Sequence, residues 1–240
     1  MLVEKTTLMD TWKVSQRGTF KDSMMWKGNQ QAYCTARGFC ECWDNAPDVT
    51  VIYGELGCGK YHLMKSMFKE LLSTNQVSII CTMDGYSIRE DLSCEDLNSA
   101  DVLFLHNFCR AWESKELHNA EISLLKYFLE NGKKIVLSGT YPHETWCELK
   151  NYIPEILSNT AFLEIKNPDK EECKKLIRFW IHKENYEKYG LDEEMIEFIA
   201  EKGTTNVRIL EGTLTKVIAM ARLERQETVT MEFLKQIFEP

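Results

Sequence analysis

The sequence has no hydrophobic run long enough to cross a membrane. A spanning helix needs about 18 or more consecutive apolar residues, and no stretch of this chain approaches that length. The N-terminal stretch MLVEKTTLMD also lacks the apolar core of a secretory signal. We therefore expect a cytoplasmic protein without a membrane-inserted segment.

An excess of positive charge is also missing. The 240 residues include 29 Lys and Arg against 37 Asp and Glu, which gives a formal net charge of -8. A protein that lays a broad surface on nucleic acid needs a basic stripe to neutralise phosphates. Lys170, Lys174, Lys175 and Arg178 do share one predicted helix, but glutamates lie among them, and mixed charge is typical of a solvated face. Any nucleic-acid contact is therefore expected to be weak or indirect.

None of the nine cysteines forms a C-x-x-C pair. Structural zinc sites usually bring their thiolates at short, paired spacings. Here the thiols are scattered through apolar stretches, for example at Cys81, Cys109, Cys147 and Cys173. We expect buried, reduced thiols and no metal site built from them.

The most informative stretch that is present is a glycine-rich loop. Strand-forming residues at 50–53 lead into Gly54, and Gly57, Gly59 and Lys60 complete the spacing G-x-x-x-x-G-K ahead of an apolar helical pattern. Glycines let backbone amides turn toward an anion, the helix start adds positive potential, and the lysine reaches terminal phosphates. The sequence predicts an ADP or ATP site formed by Gly54, Gly57, Cys58, Gly59, Lys60, Tyr61 and His62.

The loop departs from the motif at its last position. A Ser or Thr there would bind Mg²⁺ through a short hydroxyl, but this chain has Tyr61. A phenol on a rigid ring cannot place its oxygen at the same point. Phosphate binding is therefore expected to survive, whereas Mg²⁺ binding is expected to be impaired.

Strands and helices alternate over the first 167 residues. This alternation predicts a parallel sheet flanked by helices, with ligand at the carboxyl ends of the strands. From residue 168 only helices are predicted, so we expect an α/β domain at 1–167 and a small all-helical lid domain at 168–240. The predicted strands are 50–53, 77–81, 102–105, 135–137 and 162–165, and the helices are 29–43 with Asn29 as its cap, 117–129, 169–186, 192–202, 206–223 and 231–238 behind Thr230.

Several blocks in this order resemble the ATPase module of the DnaA family, bacterial replication initiators within the AAA+ ATPases. They are GELGCGKYHL, DVLFLHNF, LENGKKIVLSGTYPHE, NPDKEE and LDEEMIEFIAEKGTTNVRILEGTL. The last block resembles the second sensor motif, which implies that Arg208 contacts the nucleotide. Trp26 stands where the family usually has a glycine near the adenine, so it either stacks on the base or fills the pocket. The resemblance implies a P-loop AAA+ sheet followed by a helical lid.

The same comparison shows which catalytic groups are missing. His106 and Asn107 stand where the family carries two carboxylates, and Thr140 stands where the initiators have an acidic first sensor. The segment LSNTAF lacks the arginine finger, a group worth about 10³ to 10⁵ in rate. An imidazole and an amide neither hold a hard cation on oxygen ligands nor act as a competent base there. With Tyr61 also changed, we expect no catalytic residues and no useful ATP hydrolysis.

Two further differences point to a regulatory role. The link from Cys81 to Asp101 is too short for the extra helices with which initiators grip single-stranded DNA, and the chain ends at Pro240 where an initiator would continue into a helix-turn-helix domain. This plan is similar to that of Hda-type DnaA paralogues. It implies a replication-associated regulatory or assembly protein whose partner is an initiator, a helicase or another AAA+ protein, with self-association left open. The alternative is an active ATPase that serves as a helicase loader or transposition helper.

Overall fold

The computed structural model describes residues 18–74, 76–77, 80–84, 94–108 and 115–238. The chain divides into two compact units. The first contains residues 18–23, Asn29–Glu55 and Lys60–Ile165. The second contains Met24–Gly28, Leu56–Gly59 and the chain from Lys166 onward.

The first unit is built on a parallel sheet. Its described strands are β1 (Val49–Tyr53), β2 (Ile80–Asp84), β3 (Val102–His106), β4 (Lys134–Gly139) and β5 (Thr160–Glu164). They lie in the order β2-β3-β4-β1-β5, and every neighbouring pair is parallel. Strand β1 pairs with β4 on one side and with β5 on the other, so that Val51 lies between Leu137 and Phe162. The predicted α/β sheet is thus confirmed.

The second strand ends later than predicted. The prediction placed it at 77–81, whereas β2 runs from Ile80 to Asp84 and pairs Asp84 with His106 of β3. Residues 78 and 79 lie outside the described part of the chain. An apolar run marks the buried part of a strand, but the hydrogen-bond register also carries its polar carboxyl end to the edge of the sheet.

Helices cover both faces of this sheet, because alternate strand residues point to opposite sides. Leu103 and Leu105 share a buried cluster with Leu125 and Phe128 of α4. On the other face, Phe104 contacts Phe68 of α2 edge-on at 6.2 Å between ring centroids. The helices of this unit are α1 (Gln30–Glu41), α2 (Lys60–Ser73), α3 (Cys94–Ser99), α4 (Lys115–Glu130) and α5 (His143–Cys147).

The capping role predicted for Asn29 is wrong. Asn29 stands at the N-cap position of α1, but its side chain makes no capping hydrogen bond and is 1% exposed. Because the residue is buried, the surrounding core also determines the orientation of its amide, and here the amide does not reach the helix N–H groups. The helix also stops at Glu41, and a short 3-10 turn at Trp43–Asn45 follows.

The second unit contains α6 (Lys170–Lys183), α7 (Glu193–Gly203), α8 (Val207–Leu223) and α9 (Met231–Phe238). Asp169, Asp192 and Asn206 cap the first three of these helices through their side chains. As predicted, Thr230 caps the last, since its hydroxyl accepts from the Phe233 N–H at 3.2 Å. The first helix ends earlier than the predicted 186, because Glu184 closes it and a separate turn follows at Glu187–Tyr189.

The sequence predicts buried cysteines, but the structure buries only some of those it describes. Cys40, Cys58 and Cys173 are buried, but Cys34 and Cys42 are exposed and Cys147 is half-buried. Burial raises the pKa of the Cys173 thiol to about 11, so this group stays protonated at neutral pH. Cys109 lies outside the described residues.

Within the described residues, no helix is both long enough and apolar enough to cross a bilayer.

Candidate functional site

The loop from β1 into α2 has the backbone of an anion-binding turn. Gly54, Gly57 and Gly59 all have positive φ angles, at 147°, 80° and 109°. Side chains are strained in this region, so the glycines are required by the loop's shape. Successive backbone N–H groups in such a turn can form a concave nest for a phosphate.

Lys60 folds back over the start of this loop. Its Nζ donates to the carbonyl of Gly54 at 2.8 Å and to that of Glu55 at 2.7 Å. Only 6% of the residue is exposed. These two hydrogen bonds hold the ammonium at the loop, where it can bind an incoming phosphate.

The tip of the loop, Leu56–Gly59, belongs to the second unit and contacts the start of α8 there. The Asn206 Nδ2 donates to the Leu56 carbonyl at 2.6 Å, and the Arg208 N–H donates to the Gly57 carbonyl at 3.2 Å. The Arg208 side chain is exposed. The structure therefore places the backbone of the predicted residue Arg208 on the loop, next to Asn206.

Asn206 was not among the predicted site residues. Its position before an apolar helical pattern and its role as a helix cap were visible in the sequence. Only the fold shows that the same amide also reaches Leu56, 150 residues earlier in the chain.

Tyr61 and His106 lie against each other. Their ring centroids are 4.9 Å apart, and the Nδ1 of His106 is hydrogen-bonded to the buried hydroxyl of Ser138 at 2.7 Å. Position 61 is where the phosphate-loop motif has a Ser or Thr that binds Mg²⁺, and position 106 is where the family resemblance implies a carboxylate. Mg²⁺ prefers carboxylate, hydroxyl and water oxygens in octahedral geometry, so an aromatic pair does not fit this ion.

Three further residues named in the sequence analysis, His62, Cys58 and Thr140, have different surroundings. The His62 Nε2 is 2.9 Å from the Ser23 hydroxyl, which itself donates to the Thr19 carbonyl at 2.8 Å. His62 therefore faces the segment before α1. Cys58 is fully buried, and Thr140 is exposed beyond the end of β4.

Trp26 is buried by its own chain. Its Nε1 donates to the Lys166 carbonyl at 2.9 Å, and only 7% of the residue is exposed. The indole Cη2 lies 3.9 Å from the point where a Cβ on Gly59 would sit. The indole therefore lies beside Gly59, and stacking on the base and filling of the pocket both stay predictions.

Comparison with known proteins gives a consistent family assignment. The family model described as "Bacterial DnaA ATPAse domain" matches residues 14–158. The chain is 23% identical over 244 residues to the chromosomal replication initiator protein DnaA of Lachnoclostridium phytofermentans, covering 95% of this chain and 53% of that protein. The chain thus spans about half the length of the curated relatives that it matches.

Solved structures show the same fold. Domain III of the replication initiation protein DnaA from Thermotoga maritima superposes with a TM-score of 0.77 at 20% identity, covering 94% of this chain and 97% of that one. A replication initiator DnaA bound to AMPPCP and single-stranded DNA gives a TM-score of 0.64 at 19% identity, covering 89% and 70%. The family match spans more than half of the chain, so this protein belongs to the bacterial DnaA ATPase domain family.

Proposed function

We propose that this chain is a replication-associated regulatory or assembly module of the DnaA type. In this proposal it holds ADP or ATP through Gly54, Gly57, Cys58, Gly59 and Lys60, with Arg208 as a further contact. It needs no Mg²⁺ for this and hydrolyses the nucleotide slowly or not at all. Residues 1–167 act as the nucleotide-binding domain and residues 168–240 as the lid.

The contact between Tyr61 and His106 carries this proposal. P-loop ATPases use the metal to neutralise charge that develops on the phosphates. Here the two positions that would bind the metal are occupied by rings in contact with each other, and the imidazole is also held by Ser138. Without a metal and without a carboxylate base after β3, the loop can bind phosphate but lacks the groups that activate water.

Charge pairing on α6 supports a protein partner over direct nucleic-acid binding. Lys170 lies 2.8 Å from Glu201, and Lys174 lies 2.6 Å from Glu171. Arg178 is likewise paired with Glu193. Basic side chains that already face carboxylates offer little net charge to phosphates. We therefore propose an initiator, a helicase or another AAA+ protein as the partner.

Titration calorimetry with ADP and ATP, in Mg²⁺ and in EDTA, tests the proposal. The related initiator bound to AMPPCP supports an adenine nucleotide as the ligand. We expect affinities that agree within about threefold with and without the metal, a difference of less than 1 kcal/mol. Turnover of ATP that disappears in Lys60→Ala would overturn the proposal in favour of an active helicase loader or transposition helper.

Restoring the two metal-facing side chains should restore metal dependence. In the double variant Tyr61→Thr, His106→Asp, a hydroxyl and a carboxylate replace the ring pair, so ATP should bind about tenfold more tightly with Mg²⁺ than with EDTA. Tyr61→Phe is the matched control, because it keeps the ring and removes only the phenol oxygen. Metal-dependent binding by this control would contradict this account, because the ring that it keeps would then not be what excludes the metal.

A further inference from the structure

We infer that Asn206 is a positioning residue for the phosphate-binding loop. Its side chain fixes the direction of the Leu56–Gly57 peptide, so that the N–H of this peptide faces a bound pyrophosphate group. The inference rests on the proposed nucleotide binding and adds to it a residue outside the loop itself.

The two halves of the Asn206 amide have different partners. Its Oδ1 accepts from the Ile209 N–H at 3.1 Å, which caps α8. Its Nδ2 donates to the Leu56 carbonyl at 2.6 Å. The next carbonyl of the loop, that of Gly57, accepts from the Arg208 N–H at 3.2 Å. The first turn of α8 therefore holds two successive loop carbonyls.

Peptide planarity converts this contact into an orientation of the loop's donors. In a trans peptide the C=O and the following N–H point in opposite directions. When the Leu56 carbonyl is held toward α8, the Gly57 N–H must point away from α8. The Gly57 carbonyl is likewise held by the Arg208 N–H, so the Cys58 N–H of the same peptide also points away from α8. Two adjacent N–H groups are thereby aligned on one side of the loop, as an anion nest requires.

The packing at Gly57 shows that this contact is part of the loop's construction. A Cβ on Gly57 would lie 2.2 Å from the Asn206 Oδ1 and 2.6 Å from its Nδ2. The φ angle of Gly57 is also positive, at 80°. The loop thus needs a glycine at this position both for its backbone conformation and to admit the Asn206 amide.

Aspartate at position 206 separates capping from loop positioning. A carboxylate accepts from the Ile209 N–H and is among the best N-cap residues, so α8 remains capped. It cannot donate to the Leu56 carbonyl, and at 2.6 Å two acceptor oxygens repel each other. Asn206→Ser also keeps a capping oxygen and lacks the donor, but it adds no charge.

Calorimetry of the full chain with ADP and with inorganic pyrophosphate tests the inference. We expect Asn206→Ser, which only loses the donor, to lower the affinity for both ligands by about 10-fold. Asn206→Asp also adds a repulsive oxygen, so it should lower both affinities by about 30-fold. The thermal midpoint without ligand should stay within about 2 °C for both variants, because the cap is retained.

The outcomes separate this inference from the proposed function. Wild-type protein that binds neither ligand would overturn both. Wild-type binding that persists unchanged in Asn206→Asp and Asn206→Ser would overturn only the role of Asn206. A loss of affinity accompanied in both variants by a fall of the ligand-free thermal midpoint well beyond about 2 °C would mean that the Asn206 contact supports the fold in general, and it would overturn the positioning role.

Discussion

Replacing Lys60 with alanine is expected to lower the affinity for ADP by at least about 100-fold. Each charge-assisted hydrogen bond to a phosphate contributes about 1.5 to 3 kcal/mol, and Lys60 is the buried cation of the loop. Its Nζ already lies on the Gly54 and Glu55 carbonyls, so the charge is in place before the ligand arrives. Calorimetric titration of both proteins at equal ionic strength measures the difference.

Lys69→Ala provides the matched control, because it removes a lysine from the same helix, nine residues further along. It should leave the affinity within about twofold of the wild-type value, since a charge at that distance is largely screened by salt. Equal ADP affinities of wild type and Lys60→Ala would show that the loop does not bind phosphate, and they would contradict the proposed nucleotide site.

Replacing Glu121 with methionine is expected to stabilise the protein at neutral pH. The residue lies on α4 and is fully buried, and neither carboxylate oxygen has a hydrogen-bond partner among the described residues. Burial raises the pKa of this carboxyl to about 8, against about 4.3 for an exposed glutamate. Methionine has a similar length and fills the same space without a titratable group.

The pH dependence of this effect has a definite sign. Between about pH 4.5 and pH 8 the folded protein keeps a proton on Glu121 that the unfolded chain has lost, so wild-type stability falls as pH rises through this interval. At pH 7 the accumulated difference is about 3 kcal/mol, from about 1.4 kcal/mol per pKa unit. The stability gained in Glu121→Met should therefore be about 3 kcal/mol larger at pH 7 than at pH 4.5.

Urea denaturation at the two pH values measures this difference. Glu130→Gln, an exposed change at the end of the same helix, is the control and should change the stability by less than about 0.5 kcal/mol at either pH. A gain in Glu121→Met that is equal at pH 4.5 and pH 7 would mean that packing, and not the ionisation of Glu121, sets the effect.

Local patterns were enough to predict most of the elements. The helices capped by Asp192 and Asn206 begin where the sequence placed them, since a side-chain oxygen before an apolar period is a local signal. The end of β2 and the environment of Asn29 were mispredicted. In both cases the outcome depends on non-local partners: the β3 register for the strand and burial for the asparagine.

The sequence by itself determined the parallel α/β fold, the glycine-rich loop and the absence of the metal-binding side chains, because residue spacing and residue type encode all three. Only the tertiary structure decided that Tyr61 and His106 come into ring contact and that Asn206 reaches the loop tip. These pairs are separated by 45 and 150 residues, and spacing within one element cannot specify which side chains meet across such distances. Packing determines both contacts, because the fold brings strand ends and helix starts together where their buried faces fit.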